Sequence, residues 1–317
     1  MTGVNRAAVV AGIVVAGVLT LAPARDGGAM TNGLVWGSQN VVQGAKTLAV
    51  GMSRAVAGLF GGDHDWGAAS RSAQRHNRDG SDQEANFVWH GTVPTGQTVE
   101  IKGVNGDIIV ERAAGEEIEV RAEKRARRSD VDAVRIEVIE HAGGVTVCAV
   151  YPSSLGRENT CEPGSGGRNS IRNNDVRVTF YVSVPENVAF MGSTVNGDVE
   201  VHDLASDVGA RSVNGDIEIS TTGFAEASTV NGSIEAAMER YNIEAGLSFS
   251  TVNGSISLDL PDDVDADLDA RWVNGRLEAD LPFERIGRVS RHSARGVLGD
   301  GGPELNLKTV NGSIHIF

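Results

Sequence analysis

An all-β solenoid is the fold class that the sequence predicts. Three observations carry it: a tripeptide repeated at a nearly fixed period, aliphatic residues at period two after each copy, and an excess of glycine. Val-Asn-Gly occurs seven times, with its asparagines at Asn105, Asn196, Asn214, Asn231, Asn253, Asn274 and Asn311. The later intervals are 18, 17, 22, 21 and 37 residues. The last is about two periods, and Ser293-Ala294-Arg295-Gly296-Val297-Leu298, halfway through it, reads as a decayed copy. Glycine supplies 40 of the 317 residues, nearly twice the usual share of about 7%.

Aligning the copies gives columns. Two residues before the asparagines stand Thr194, Ser212, Thr229, Thr251, Trp272 and Thr309, with Ser293 in the decayed copy. Two after each glycine stand Ile108, Val199, Ile217, Ile234, Ile256, Leu277 and Ile314, followed two further on by Val110, Val201, Ile219, Ala236, Leu258, Ala279 and Ile316. Alternation of period two marks a strand with one buried face. Asn-Gly marks the corner before it, where tolerance of positive φ is the expected reason for both residues. A second strand precedes each later corner, as in Ala266-Leu268-Ala270-Trp272. Two strands and two turns in about 19 residues enclose no core alone, so such units stack, each strand pairing with its copy in the next coil. An antiparallel sandwich is the alternative, but it requires no fixed columns. The regular array covers 186–317. An irregular opening part, 87–185, holds alternating strands and a polar loop from Pro152 to Asn174.

Before the repeats, Arg6 precedes an uncharged apolar run from Ala7 to Ala22, and Ala22-Pro23-Ala24 has the small residues of a signal-peptidase site. Residues 1–24 are therefore expected to be a signal peptide, with an uncleaved anchor as the alternative. Residues 33–60 place Val41, Ala45, Leu48, Met52, Val56 and Leu59 on one helical face. A membrane-surface helix and an amphipathic segment without a role both fit. The polar stretch up to Asn86 reads as a disordered linker, so 25–86 forms a helix and linker ahead of the solenoid.

Forty-two acidic against 28 basic residues give a net charge of −14, which argues against nucleic-acid binding. Two cysteines exclude a four-thiolate zinc site. After export, Cys148 and Cys161 have two readings, a disulfide across the polar loop or two unpaired small apolar residues. Asp198, Glu200, Asp216 and Glu218 fall on one outer patch of two neighbouring coils. Stacked carboxylates repel, so a calcium ion is the candidate ligand and a solvated acidic face the alternative. The asparagines read as a corner ladder of side-chain amides, with a binding groove as the alternative. The acids recur in columns rather than as one non-repeating cluster, and no nucleophile elbow, zinc-protease or phosphate-loop motif occurs. The expectation is no enzyme and no cofactor beyond calcium.

The Thr-Val-Asn-Gly-Asp/Ser-Ile strings, the early Val104-Asn105-Gly106-Asp107-Ile108 and the Val182-to-Pro185 strand resemble a group of bacterial exported β-strand-repeat domains named putative adhesins, related to the head GIN domain of auto-transporter adhesins. The resemblance covers 87–317. It implies a stacked β fold and no catalytic or ligand residues. The expected function is an exported binding, adhesin-like or scaffolding module of the periplasm, cell surface or medium. An extended polysaccharide or an envelope protein is the expected partner, and residues 33–60 are a candidate membrane contact. A membrane-tethered regulatory module and a carbohydrate-active enzyme are the alternatives.

Overall fold

The computed structural model describes residues 83–153, 156–240, 246–281, 283–285 and 290–317. The signal peptide, the 33–60 helix and the linker up to residue 82 lie outside them. The folded part begins earlier than the sequence suggests, because 83–86, read as linker, belong to the first strand.

Among the described residues the chain is all-β, with a single 3-10 turn at Val131–Ala133. The opening part contains β1 (Gln83–Gly91), β2 (Thr98–Lys102), β3 (Ile108–Arg112), β4 (Ile118–Ala126), β5 (Arg135–His141), β6 (Gly144–Val150) and β7 (Arg177–Val184). The repeats form β8 (Ala189–Ser193), β9 (Val199–Leu204), β10 (Val208–Arg211), β11 (Ile217–Thr221), β12 (Ala225–Ser228), β13 (Ile234–Met238), β14 (Leu247–Ser250) and β15 (Ile256–Asp259). The last are β16 (Ala266–Arg271), β17 (Leu277–Ala279), β18 (Phe283–Arg285), β19 (Ser293–Leu298), β20 (Glu304–Lys308) and β21 (Ile314–Ile316).

Each coil runs from a strand of one sheet through a Val-Asn-Gly corner into a strand of the other. Sheet A has the order β1-β4-β7-β3-β9-β11-β13-β15-β21-β17, and sheet B has β18-β19-β16-β20-β14-β12-β10-β8-β2-β6-β5. The middle strands pair in parallel, in register, with like columns aligned: Ile217 lies between Val199 and Ile234, and Ala210 between Gly192 and Ala227. The inward columns of both sheets merge into one core, in which Phe180, Phe190, Phe249 and the inward-facing isoleucines Ile108, Ile217, Ile234, Ile256 and Ile314 are almost fully buried.

Two features depart from the sequence reading. The coils do not stack in chain order. The final coil, β20/β21, lies inside the stack, between β14/β15 and the earlier β16/β17 coil. The first coil, β2/β3, is likewise interior, flanked by β6/β7 and β8/β9. The decayed copy at 293–298 is no coil at all. It forms β19, which pairs antiparallel with β16, with Leu268 opposite Gly296. Antiparallel strands close both ends of the stack: β1, β4 and β5 at one, β19 and β18 at the other. Trp272 takes the place of the corner hydroxyl on the outermost coil and is buried there.

Cys148 and Cys161 are joined by a disulfide. The loop it anchors docks on the outer face of sheet B, where Lys102 Nζ donates to the carbonyls of Glu162, Gly164 and Gly166 at 2.5, 2.6 and 3.3 Å. Gly164 N–H donates to Glu100 Oε2 (2.9 Å), which also accepts from Thr146 Oγ1 (2.8 Å). Buried Asn159 ties the loop to Tyr151 and Ser170.

Candidate functional site

The corners explain the repeat residue by residue. From Asn196 onward each asparagine Nδ2 donates to the Oδ1 of the asparagine one coil before it in the stack, linking Asn105, Asn196, Asn214, Asn231, Asn253, Asn311 and Asn274 in that order at 2.7–2.9 Å, with Asn105 as the first acceptor. The ladder follows the stack, not the chain. The buried hydroxyls of Thr194, Ser212, Thr229, Thr251 and Thr309 donate to the glycine carbonyl of the adjacent corner at 2.8–3.0 Å. All side-chain polar groups aligned this way polarise one another along the axis.

The glycines have a cause beyond the one expected. No corner asparagine has positive φ. A Cβ on Gly197, Gly215, Gly232, Gly254, Gly275 or Gly312 would stand 1.8–2.1 Å from the carbonyl oxygen of the adjacent corner glycine. Close approach of successive coils requires glycine at all six, and the expected positive φ is found at Gly106 (126°), Gly254 (159°) and Gly312 (159°) but not at the other corner glycines.

The acidic patch lies on adjacent strands of sheet A. Glu200 is directly opposite Glu218, and Glu218 opposite Glu235. Asp107, Asp198 and Asp216 sit beside the corners, and each Oδ1 accepts the backbone N–H of the residue in the same column of the next coil, at 3.1, 2.8 and 2.7 Å. Ser233 and Ser255 do the same with their hydroxyls. The Asp/Ser column thus supplements the backbone ladder. Asp107 also faces Arg177 at 3.5 Å, and Glu200 faces His202 at 3.7 Å. Among the described residues, no three His, Cys, Asp or Glu side chains converge in a way that would hold a metal ion.

Other positions that break the repeat are placed at the end of the stack: Arg276 pairs with Glu278, Glu278 with His315 at 3.0 Å, and Arg271 and Arg295 with Asp269 at 2.6 and 3.4 Å. The basic run on β4 is also occupied. Arg121 lies 4.4 Å over the Tyr181 ring, Lys124 Nζ donates to Val134 O, and Arg125 meets Glu84 and Glu123.

One residue escaped the sequence reading. Glu226, on the outer face of β12, has an Oε1 shielded from solvent without a hydrogen-bond partner. Burial pushes its carboxyl up from the usual 4.5 to about 7, with Arg211 opposing. Between those values the folded state holds more protons than the unfolded, so this group's contribution to stability falls as pH rises through that window. The loss is on the order of 3 kcal/mol by pH 8. Glu226→Gln is expected to raise the melting temperature at pH 8 and leave it unchanged near pH 4.5. Equal shifts at both pH values would show that the carboxyl is not held this way.

Residues 92–317 match the model of the family described as Toastrack DUF4097. Among solved structures, the chain is similar to a putative cell adhesion protein from Clostridium sporogenes, at 10% identity and TM-score 0.42, covering 74% of this chain and 99% of that one. A putative adhesin from Bacteroides fragilis aligns at 11% identity and TM-score 0.26, covering 74% and 97%. One from Parabacteroides distasonis aligns at 12% and 0.22, covering 75% and 98%. No curated protein matches in sequence. The family match spans every corner of the ladder, from Asn105 to Asn311, and the chain belongs to the Toastrack DUF4097 family.

Proposed function

We propose that the chain is an exported, non-enzymatic binding module of the cell envelope, adhesin-like or scaffolding, that engages an extended partner along the outer face of sheet A. The supporting observation is the run of Glu200, Glu218 and Glu235 on three consecutive parallel strands. Side chains of one type at the strand spacing, about 4.8 Å, suit a polysaccharide or an extended protein segment with repeating donors or cations. Calcium bridging Asp198, Glu200, Asp216 and Glu218 is the ion this reading admits. Among the described residues, no helix is long and apolar enough to cross a membrane.

Glycan arrays and envelope fractions probed with the parent and the Glu200→Gln/Glu218→Gln/Glu235→Gln variant test it. A loss of binding of tenfold or more in the variant is expected, and equal binding would contradict it. Fractionation of cells places the mature chain: release or surface exposure supports adhesion, and retention at the inner membrane favours a tethered module. For calcium, a melting temperature raised by the ion and lowered by chelator would assign the ion to these carboxylates. An unchanged midpoint removes the ion from the account.

A further inference from the structure

The outer face of sheet B is interrupted at one place by a notch. Strand register aligns Glu100, Met191, Gly209 and Glu226 in one outward column. Gly209 lies inside a strand, where glycine is unfavourable and often marks close approach of another group. Its φ is not in the left-handed region, and a Cβ there would meet only the flexible end of Met191, at 3.3 Å. Unlike the corner glycines, it is required neither by conformation nor by packing of the backbone. It leaves a gap lined by Met191, Phe224 and Glu226 together with Asp207, Arg211 and Ser248, and the Arg240 guanidinium lies 5.3 Å from the centre of the Phe224 ring.

Glu226 Oε1 is shielded from solvent there and has no partner. A buried unsatisfied carboxylate oxygen is costly. Desolvation outweighs the pull of Arg211 on this carboxyl, so the arginine leaves the charge short of compensation. A neutral donor would satisfy one lone pair and leave that charge in apolar surroundings. An ammonium group does both, and its methylene stem matches the thioether and ring that line the gap.

We propose that the Gly209 notch binds a primary ammonium group carried on a short apolar stem, as in an alkylamine, with the ammonium paired to the Glu226 carboxylate and the stem against Met191 and Phe224. The site is on the opposite sheet from the acidic run and is independent of the function proposed above.

The test is titration of the full chain with n-hexylamine at pH 8, followed by amide chemical shifts, with n-hexanol and hexanoate as isosteres. Hexylamine is expected to bind at least tenfold more tightly than hexanol, with shifts centred on Gly209 and Glu226. Glu226→Gln should abolish that preference, and Gly209→Leu, which fills the gap, should abolish binding of both. Equal affinity for amine and alcohol, a preference that survives Glu226→Gln, or shifts centred on Glu200, Glu218 and Glu235 would overturn the proposal.

Discussion

Gly215→Ala is expected to destabilise the protein by about 3 kcal/mol or more, an overpacking cost at the upper end of the usual range. The reason is geometric. A Cβ at residue 215 would stand 1.9 Å from Gly197 O and 2.4 Å from its carbonyl carbon. Both atoms belong to backbone held on each side by coil-to-coil hydrogen bonds, from Gly197 N to Asn214 O and from Gly215 N to Asn231 O, both at 3.0 Å. Relief would require separating two coils, which would also stretch the Ser212–Gly197 and Asn214–Asn196 bonds, at 2.9 Å each. For a domain of this size the melting temperature should fall by roughly 6–12 °C. Gly115→Ala is the control, since nothing lies within 4 Å of its added Cβ, and a change within about 0.5 kcal/mol is expected. Equal effects at 115 and 215 would contradict the close-approach account of the corners.

Deleting residues 303–317 should unfold more than the end of the chain. Were the coils stacked in sequence order, the deletion would peel away a terminal layer. In the observed order it removes an inner one. Leu305, Leu307, Ile314 and Ile316 are each at most 1% exposed, and burying four such side chains contributes roughly 6–12 kcal/mol before entropy is counted. That is comparable with the whole stability of a typical domain. The strands on either side, β14/β15 and β16/β17, would lose their parallel partners together. Hydrogen exchange on the truncated chain should show loss of protection at 247–259 and 266–279, with protection retained at 189–221. Protection kept at 266–271 in the truncated chain would mean that β16 does not depend on β20.

The columns made the strand faces legible in the sequence, because a buried aliphatic must recur at every coil. Ile217 and Ile219 could be assigned inward, and Glu218 outward, from spacing alone. The order of the coils was not legible for the same reason. Ile256, Ile314 and Leu277 are interchangeable as neighbours, and nothing local says which stacks on which. The available signal was Trp272, which breaks the Thr/Ser column and lies on the outermost coil. Residues 293–298 kept a serine, a glycine and an aliphatic, but lacked the corner asparagine needed to join the ladder, and they pair antiparallel. The corner glycines were recognised for their position but only in part for their cause: positive φ holds at Gly106, Gly254 and Gly312, and the contact with the next coil leaves no mark in the local sequence. Glu226 was invisible in Ala225-Glu226-Ala227-Ser228, an ordinary alternating strand. The gap beside it is lined by residues from separate coils, Met191, Gly209 and Ser248 among them.

Cross-linking measures the stacking order directly. Ser257 lies opposite His315, and His315 opposite Glu278, so Ser257 and Glu278 are two strand spacings apart, about 9.6 Å. A disulfide requires Cα atoms within about 7 Å. Paired cysteines are introduced as Ser257→Cys with His315→Cys, and separately as Ser257→Cys with Glu278→Cys, and the bonds formed under mild oxidation are mapped by mass spectrometry. An inner C-terminal coil predicts a rapid intramolecular 257–315 bond and none between 257 and 278. A 257–278 bond formed readily, with none at 257–315, would contradict the order of the stack.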